Sequence, residues 1–309
     1  MDERNVMVSI YCLAYNHEQY IRDTLEGFIN QKTKFRYEVI VHDDASTDNT
    51  ATIIKEYAEK YPHIIKPVLQ KKNQHSQGVQ IVKEILFPLL TGKYIAICEG
   101  DDYLFNCYKI QKQVEFLEEH QEYSACVHNT KMYNVKENKI ITMCGEKVKD
   151  LELEDVIYYG GQSYHTSSVM CRSNSFKATN DYKYIIDNVG DYPLSISLIQ
   201  QGMIHYFPEV MSVYRYGTPN SWSSRSTRER CIKVYSQSIE MLKLARAEFQ
   251  DLYQEAFQKA ISRYEYEIKK AERDYSVLQE EKYKVFYKQE TVINKIKIQI
   301  NKILSSICK

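Results

Sequence analysis

The sequence predicts an α/β domain built on a mostly parallel sheet flanked by helices, followed by an α-helical C-terminal extension. Three observations carry this prediction. Short β-rich apolar runs alternate with amphipathic stretches of about 10–15 residues, the pattern of βαβ units. The chain has 309 residues, enough for one large α/β core with an appendage. Around residues 221–230 the texture changes, and from there to the end the chain contains neither Pro nor Gly.

The elements follow in order. Residues 6–13 are β-rich and predict a first strand. Tyr20, Ile21, Leu25, Phe28 and Ile29 then recur at helical spacing. Residues 37–41 predict a second strand that runs into His42, Asp43 and Asp44. Asp48 suits the N-cap of a helix bearing Ile53, Ile54, Tyr57, Ala58 and Tyr61. Residues 64–69 predict a third strand, and residues 80–90 a helix with Gly92 as its C-cap. Residues 94–98 predict a fourth strand leading straight into Glu99, Gly100, Asp101 and Asp102, and Ile110, Val114 and Leu117 mark the next helix. In the extension, Phe257, Ile261, Tyr264, Ile268, Ala271, Tyr275 and Leu278 alternate in steps of four and three, a seam of the kind that joins two helices. Ile293, Ile296, Ile300, Ile303 and Ile307 form a second stripe, with Ile298 off it.

Composition narrows the function. Lys+Arg and Asp+Glu are equal at 41 each, which argues against a nucleic-acid binder. The balance hides an asymmetry: residues 230–309 carry 16 basic and 11 acidic side chains. Mean hydropathy is −0.51 and there is no apolar run long enough for a transmembrane helix. Residues 1–6 are charged and lack a following apolar segment, so no secretory signal is expected. The eight cysteines are scattered with no CxxC pair, and Cys12, Cys98 and Cys126 lie in apolar runs. Buried thiols and a cytoplasmic location are the expectation.

In open α/β sheets, ligands bind beyond the carboxyl ends of the strands. Tyr15 and Asn16, the Asp43–Asp44 pair, and the Glu99–Asp101–Asp102 cluster all fall at such ends. The Asp43–Asp44 pair also suits an ordinary turn with a helix cap. Three carboxylates in four residues are harder to explain structurally, because they repel unless a cation or donors lie between them. A hard divalent ion shared with substrate phosphates is the usual solution. The chain has no GxGxxG after the first strand, no GxxxxGK[ST] and no HExxH, so dinucleotide-dehydrogenase, P-loop and zincin readings are disfavoured.

The ordered set of segments resembles family 2 glycosyltransferases with a GT-A fold. The residues are Val8-Ser9-Ile10 with Tyr15-Asn16, the run from Glu38 to Asp48, the run from Gly92 to Tyr103, and Tyr108-Lys109-Ile110-Gln111-Lys112-Gln113. His165-Thr166-Ser167-Ser168, Gly190-Asp191-Tyr192-Pro193-Leu194 and Val213-Tyr214-Arg215 follow, so the likeness spans residues 6–224. The resemblance implies a GT-A glycosyltransferase domain over 1–225, with a nucleotide-sugar half at 1–135 and an acceptor half at 136–225, and a helical extension over 226–309. It implies Asp44 on the nucleotide base, Tyr15 against it, Asp101 near the ribose and Asp102 on a Mg²⁺ or Mn²⁺ ion. Asp191 matches the catalytic base, ahead of Asp187; Asp191 also suits an N-cap. His165 and Arg215 are candidates for acceptor or diphosphate contact, each with an equally good structural role. Lys71, Lys72 and His75 suit either phosphate contact or plain solvation. Two positions depart from the subgroup, which commonly has Trp where this chain has Tyr103 and Tyr192.

The activity so implied is metal-dependent, inverting transfer of one sugar from a nucleotide sugar, UDP ahead of GDP and dTDP. The acceptor would be a glycan or lipid-linked hydroxyl in surface-polysaccharide assembly. The QxxRW motif of processive synthases is missing, which implies a non-processive enzyme. Two alternatives are kept: a catalytically inactive scaffold acting through its helical tail, and a sugar nucleotidyltransferase, which would need an early glycine-rich basic loop not seen here. The tail suits a homodimer or packing helix, or a helix on an anionic membrane at the inner face of the cell.

Overall fold

The computed structural model describes residues 5–144, 149–179, 191–219, 221, 224, 227–249, 252–275 and 280–307. The first strands are short, and all but the third, which lies at the sheet edge and exposes Lys66 and Pro67, are mostly apolar because both faces are covered, as in parallel sheets. They are β1 (Val8–Ala14), β2 (Tyr37–Asp43), β3 (Ile65–Leu69) and β4 (Tyr94–Ile97). Between them run α1 (Ile21–Ile29) and α2 (Thr50–Lys60). α1 buries Ile21, Thr24, Leu25 and Phe28 on one stripe, and α2 buries Thr50, Ile53 and Ile54. After β4 come β5 (Tyr103–Leu104), α3 (Lys109–Glu119), β6 (Tyr123–Asn134) and β7 (Lys139–Cys144). These are followed by α4 (Leu153–Tyr159), β8 (Met170–Arg172), α5 (Ser173–Ala178), α6 (Tyr192–Gln201) and β9 (Met203–Tyr216).

Among the described residues nine strands join one sheet in the order β3-β2-β1-β4-β8-β6-β9-β5, with β7 paired to β6. β1 pairs in parallel with both β2 and β4, and β2 with β3. The expected parallel arrangement therefore holds for the first four strands. Antiparallel pairs enter with β8, which lies between β4 and β6, and at β5 against β9. From β1 the chain winds one way to β2 and β3 and the other way to β4, so the strand order reverses between β1 and β4. The core beneath this reversal includes Val8, Ile10, Cys12, Val39, Val41, Ile95, Ala96 and Ile97, all nearly inaccessible.

The helical extension comprises α7 (Arg228–Glu248), α8 (Gln254–Glu272), α9 (Lys284–Gln289) and α10 (Val292–Ile307). By compactness the chain divides into two units: Met1–Val156 with Gly160–Tyr182 and Leu194–Arg225, and Ile157–Tyr159 with Lys183–Pro193 and Ser226–Lys309. In the second unit α7 and α8 pack together, and Tyr266, Tyr283 and Phe286 form a small core.

Several local expectations are corrected. Asn49, not Asp48, holds the N-cap position of α2; Asp48 instead accepts hydrogen bonds from Thr50 N–H and from Glu18 N–H. The helix expected over 80–90 is a π-helical turn, Ile81–Leu86, continued by a 3₁₀ turn, Phe87–Leu89. Pro88 has no N–H to extend an α-helical ladder. Gly92 is not that helix's cap. It packs under β1, where an added Cβ would lie 2.4 Å from Ser9 N. The seam predicted through Leu278 ends earlier, because α8 stops at Glu272 and Arg273 turns left-handed (φ 62°). There Arg273 N–H and Asp274 N–H close onto the Lys270 and Lys269 carbonyls. Tyr275 is buried outside the helix, and Leu278 lies outside the described residues. Ile298, expected off the last stripe, is buried, alone among the described side chains of that helix.

Candidate active site at the β1–β4 strand ends

The loops leaving the first four strands are tied together by their own backbone. Asp44 N–H donates to Ala14 O at 3.0 Å, Gly100 N–H to Leu13 O at 2.8 Å, and Gln70 N–H to Asp43 O at 2.9 Å. Two non-glycine residues here, Asn16 (φ 57°) and Ala45 (φ 61°), adopt the left-handed region, a conformation that costs energy outside glycine. Side chains hold them: Asn16 N–H donates to Ser46 Oγ at 2.9 Å, and Asn16 Oδ1 accepts from Thr47 N–H at 2.8 Å. Asp43 is engaged by the same turn, accepting from Ser46 N–H at 3.1 Å and Ser46 Oγ–H at 2.5 Å.

Asp44 is buried, and its carboxylate accepts from Gln74 N–H at 2.6 Å and His75 N–H at 3.1 Å. It thereby fixes the loop after β3, in which Lys71, Lys72 and His75 are exposed. Tyr15 follows β1 directly and is half-buried.

The acidic segment after β4 is the most constrained part. Asp101 is 8% and Asp102 1% exposed. Thr24 of α1 places its hydroxyl 3.0 Å from Gly100 O and 2.5 Å from Asp102 O. From β9, Arg215 N–H donates to Asp102 Oδ1 at 2.9 Å, and Arg215 Nη1 donates to Asp101 O at 2.8 Å. The same guanidinium pairs with Asp23 and lies between the Tyr103 and Tyr20 rings, 4.5 and 5.3 Å from their centroids. Thr218 Oγ–H donates to Asp101 Oδ2 at 2.7 Å. Arg215 is thus engaged as a bracket around the acidic loop.

Burial, then the neighbouring carboxylates of Asp101 and Glu99, push the Asp102 carboxyl well above the usual range. A positive charge beside it would reverse that shift. Among the described residues no three His, Cys, Asp or Glu side chains form a ready-made metal cage. The donor set fits an ion carried largely by substrate phosphate and water with one or two carboxylates, which is the habit of Mg²⁺.

His165 lies close, its Nδ1 3.9 Å from Asp102 Oδ2. Burial lowers its pKa to about 4, so the ring is neutral at pH 7. Nδ1 accepts from Ser167 N–H at 3.3 Å, leaving the proton on Nε2. Ser167 Oγ continues to Ser212 Oγ at 2.8 Å and Ser212 to Thr130 Oγ1 at 3.0 Å. The imidazole packs on Tyr214, with centroids 4.2 Å apart. Asp101, Asp102, His165 and Arg215 therefore converge. Asp191 is half-buried in the turn before α6 and belongs to the second unit; Asp187 lies outside the described residues. Sequence reasoning missed Asp23, Thr24, Tyr20 and Thr218, because none belongs to a contiguous motif.

Comparison with known proteins adds the family. A family model described as Glycosyl transferase family 2 matches residues 9–179. An uncharacterized protein of Mycobacterium tuberculosis is 35% identical over 228 residues, covering 72% of this chain and 62% of the relative. The chain thus spans under two thirds of that relative's length. An uncharacterized glycosyltransferase of Methanocaldococcus jannaschii is 24% identical, covering 74% of this chain and 78% of its own. Among solved structures, S. aureus TarS 1–349 with UDP-GlcNAc superposes with a TM-score of 0.62 at 17% identity, covering 96% of this chain and 79% of TarS. Mannosyltransferase PcManGT from Pyrobaculum calidifontis, with GDP-Man and Mn²⁺, gives a TM-score of 0.58 at 13% identity, covering 97% and 81%. These likenesses identify the fold as GT-A.

Proposed function

The chain belongs to glycosyl transferase family 2, and from that premise we propose that it is an inverting, metal-dependent, non-processive glycosyltransferase. It would move one sugar from a nucleotide sugar to a hydroxyl of a glycan or lipid-linked acceptor in surface-polysaccharide assembly. The observation that carries this reading is the buried Asp101–Asp102 pair at the carboxyl end of β4, beside the β1–β4 reversal of strand order. That is where open α/β sheets bind ligands. The complexes of TarS with UDP-GlcNAc and of PcManGT with GDP-Man support a nucleotide-sugar donor, and we take UDP as its nucleotide.

In this reading Asp44 and Tyr15 hold the base, Asp101 faces the ribose, and Arg215 acts by holding Asp101 and Asp102 in place. His165 would donate its Nε2–H to donor or acceptor oxygen. Mg²⁺ or Mn²⁺ held by Asp102 would offset charge on the departing diphosphate. Asp191 takes the acceptor hydroxyl's proton as that oxygen bonds to the anomeric carbon. The bond from that carbon to the diphosphate breaks, and the nucleotide leaves with its electron pair. A single displacement inverts the configuration. Residues 1–135 would then serve the donor, 136–225 the acceptor, and 226–309 form the extension.

A thermal-shift panel of UDP, GDP, dTDP and CDP, each with and without Mn²⁺ or Mg²⁺, tests the reading. Ligand at about 100 times its Kd adds about 2.7 kcal/mol. The expected result is a metal-dependent shift with UDP, lost in Asp102→Asn. Asp191→Asn should keep the shift and lose transfer by about 10²–10⁴-fold. No shift with any nucleotide would favour the inactive scaffold instead.

A further inference from the structure

The outward face of α10 is apolar. Val292, Ile293, Ile296 and Ile300 are 72%, 65%, 53% and 51% exposed, whereas Ile298 on the opposite side is 5% exposed. Asn294 and Lys295 are half-buried: Asn294 Nδ2 donates to Glu290 Oε2 and Lys295 Nζ to the Lys288 carbonyl, each at 2.9 Å, while the exposed Gln299 donates to the Tyr287 hydroxyl at 3.2 Å. A helix normally buries its apolar stripe and exposes its polar one. A contiguous uncovered stripe marks an interaction surface.

We propose that α10 lies flat on an anionic lipid bilayer, with this stripe set into the boundary between headgroups and acyl chains. Charge selects the bilayer. From Thr291 to Lys309 the sequence holds four lysines and no Asp or Glu. The acid just before, Glu290, is already occupied by Lys270 and Asn294. An apolar face whose charged neighbours among the described side chains, Lys295 and Lys297, are cations matches an anionic surface. A second copy of the same face would oppose lysine to lysine, which is unfavourable. Geometry excludes spanning. The helix has 16 residues, about 24 Å of rise against a hydrocarbon core of about 30 Å, and no described helix is long and apolar enough to cross a membrane. Its Ile-rich composition is a weak helix former by itself, so the helix gains from having the stripe covered.

The test uses the full chain and sedimentation with phosphatidylcholine vesicles, either neutral or containing about 30% phosphatidylglycerol. Wild type should pellet with the anionic vesicles and bind the neutral ones about tenfold less. Raised salt should weaken binding to the anionic vesicles. Ile293→Ser with Ile296→Ser and Ile300→Ser, and separately Lys295→Glu with Lys297→Glu, should each abolish pelleting. Because the substituted isoleucines are exposed, far-UV helicity and any nucleotide-induced thermal shift should stay unchanged, which separates this outcome from failure of the catalytic reading. Equal pelleting of variants and wild type would overturn the proposal. So would no pelleting of wild type, or a lipid-free dimer that the isoleucine substitutions disperse.

Discussion

Lys109 at the start of α3 is fully buried, and its Nζ has no hydrogen-bond partner among the described residues. Burial lowers its pKa from 10.5 to about 8, partly offset by Cys98 and Cys126. That shift corresponds to about 3 kcal/mol against the charged form. Between pH 8 and 10.5 the unfolded chain binds the proton and the folded chain does not, so this residue's cost to stability shrinks as pH rises. Lys109→Met should therefore raise the melting temperature at pH 7, with a gain that declines through pH 8–10.5. Denaturation curves at pH 7 and 10 check this; a less stable Met variant at pH 7 would contradict it. Residues of this kind divide by how they announce themselves. Asp44, Asp101 and Asp102 were legible because their reason for existing, crowded acids at strand ends, sits within one short run. Thr24, Asp23 and Thr218 were not, because they act through one or two bonds to residues 76 to 192 positions away.

Among the elements, the β1–β4 contact sets the geometry of the acidic loop. Gly100 lies so close to β1 that an added Cβ would be 2.8 Å from His17 Nδ1 and 3.0 Å from both Ala14 Cβ and Leu13 O. Gly100→Ala should cost about 1–3 kcal/mol by overpacking and weaken nucleotide binding by displacing Asp101 and Asp102. Urea denaturation together with UDP titration checks both effects, and an unperturbed variant would show that the loop is not held by this contact. The strands were readable from apolar runs because burial on both faces writes itself into the sequence. The 80–90 segment and the end of α8 were not, since apolar spacing persists where the ladder of hydrogen bonds changes type or stops. The last helix misled in another way. Its stripe was correctly spaced, but spacing says that a face is apolar, not that the protein itself covers it.

At the scale of the whole molecule, the first four strands pair in parallel, and reversal of strand order between β1 and β4 gathers their acidic ends. The parallel pairing and the meeting of strand ends were foreseeable from alternating elements; the strand order was not. The antiparallel strands β8 and β5, and the return of Arg215 to the acidic loop, depend on pairings between distant segments that no local pattern specifies. In the proposed reading, Asp102 anchors a divalent ion and the donor diphosphate where the strand order reverses. Anomalous scattering from crystals grown with UDP and Mn²⁺ tests it most directly. The expected result is a manganese peak about 2 Å from an Asp102 carboxylate oxygen, with the diphosphate on the ion. Bound UDP with no metal at Asp102, or UDP seated elsewhere on the molecule, would contradict it.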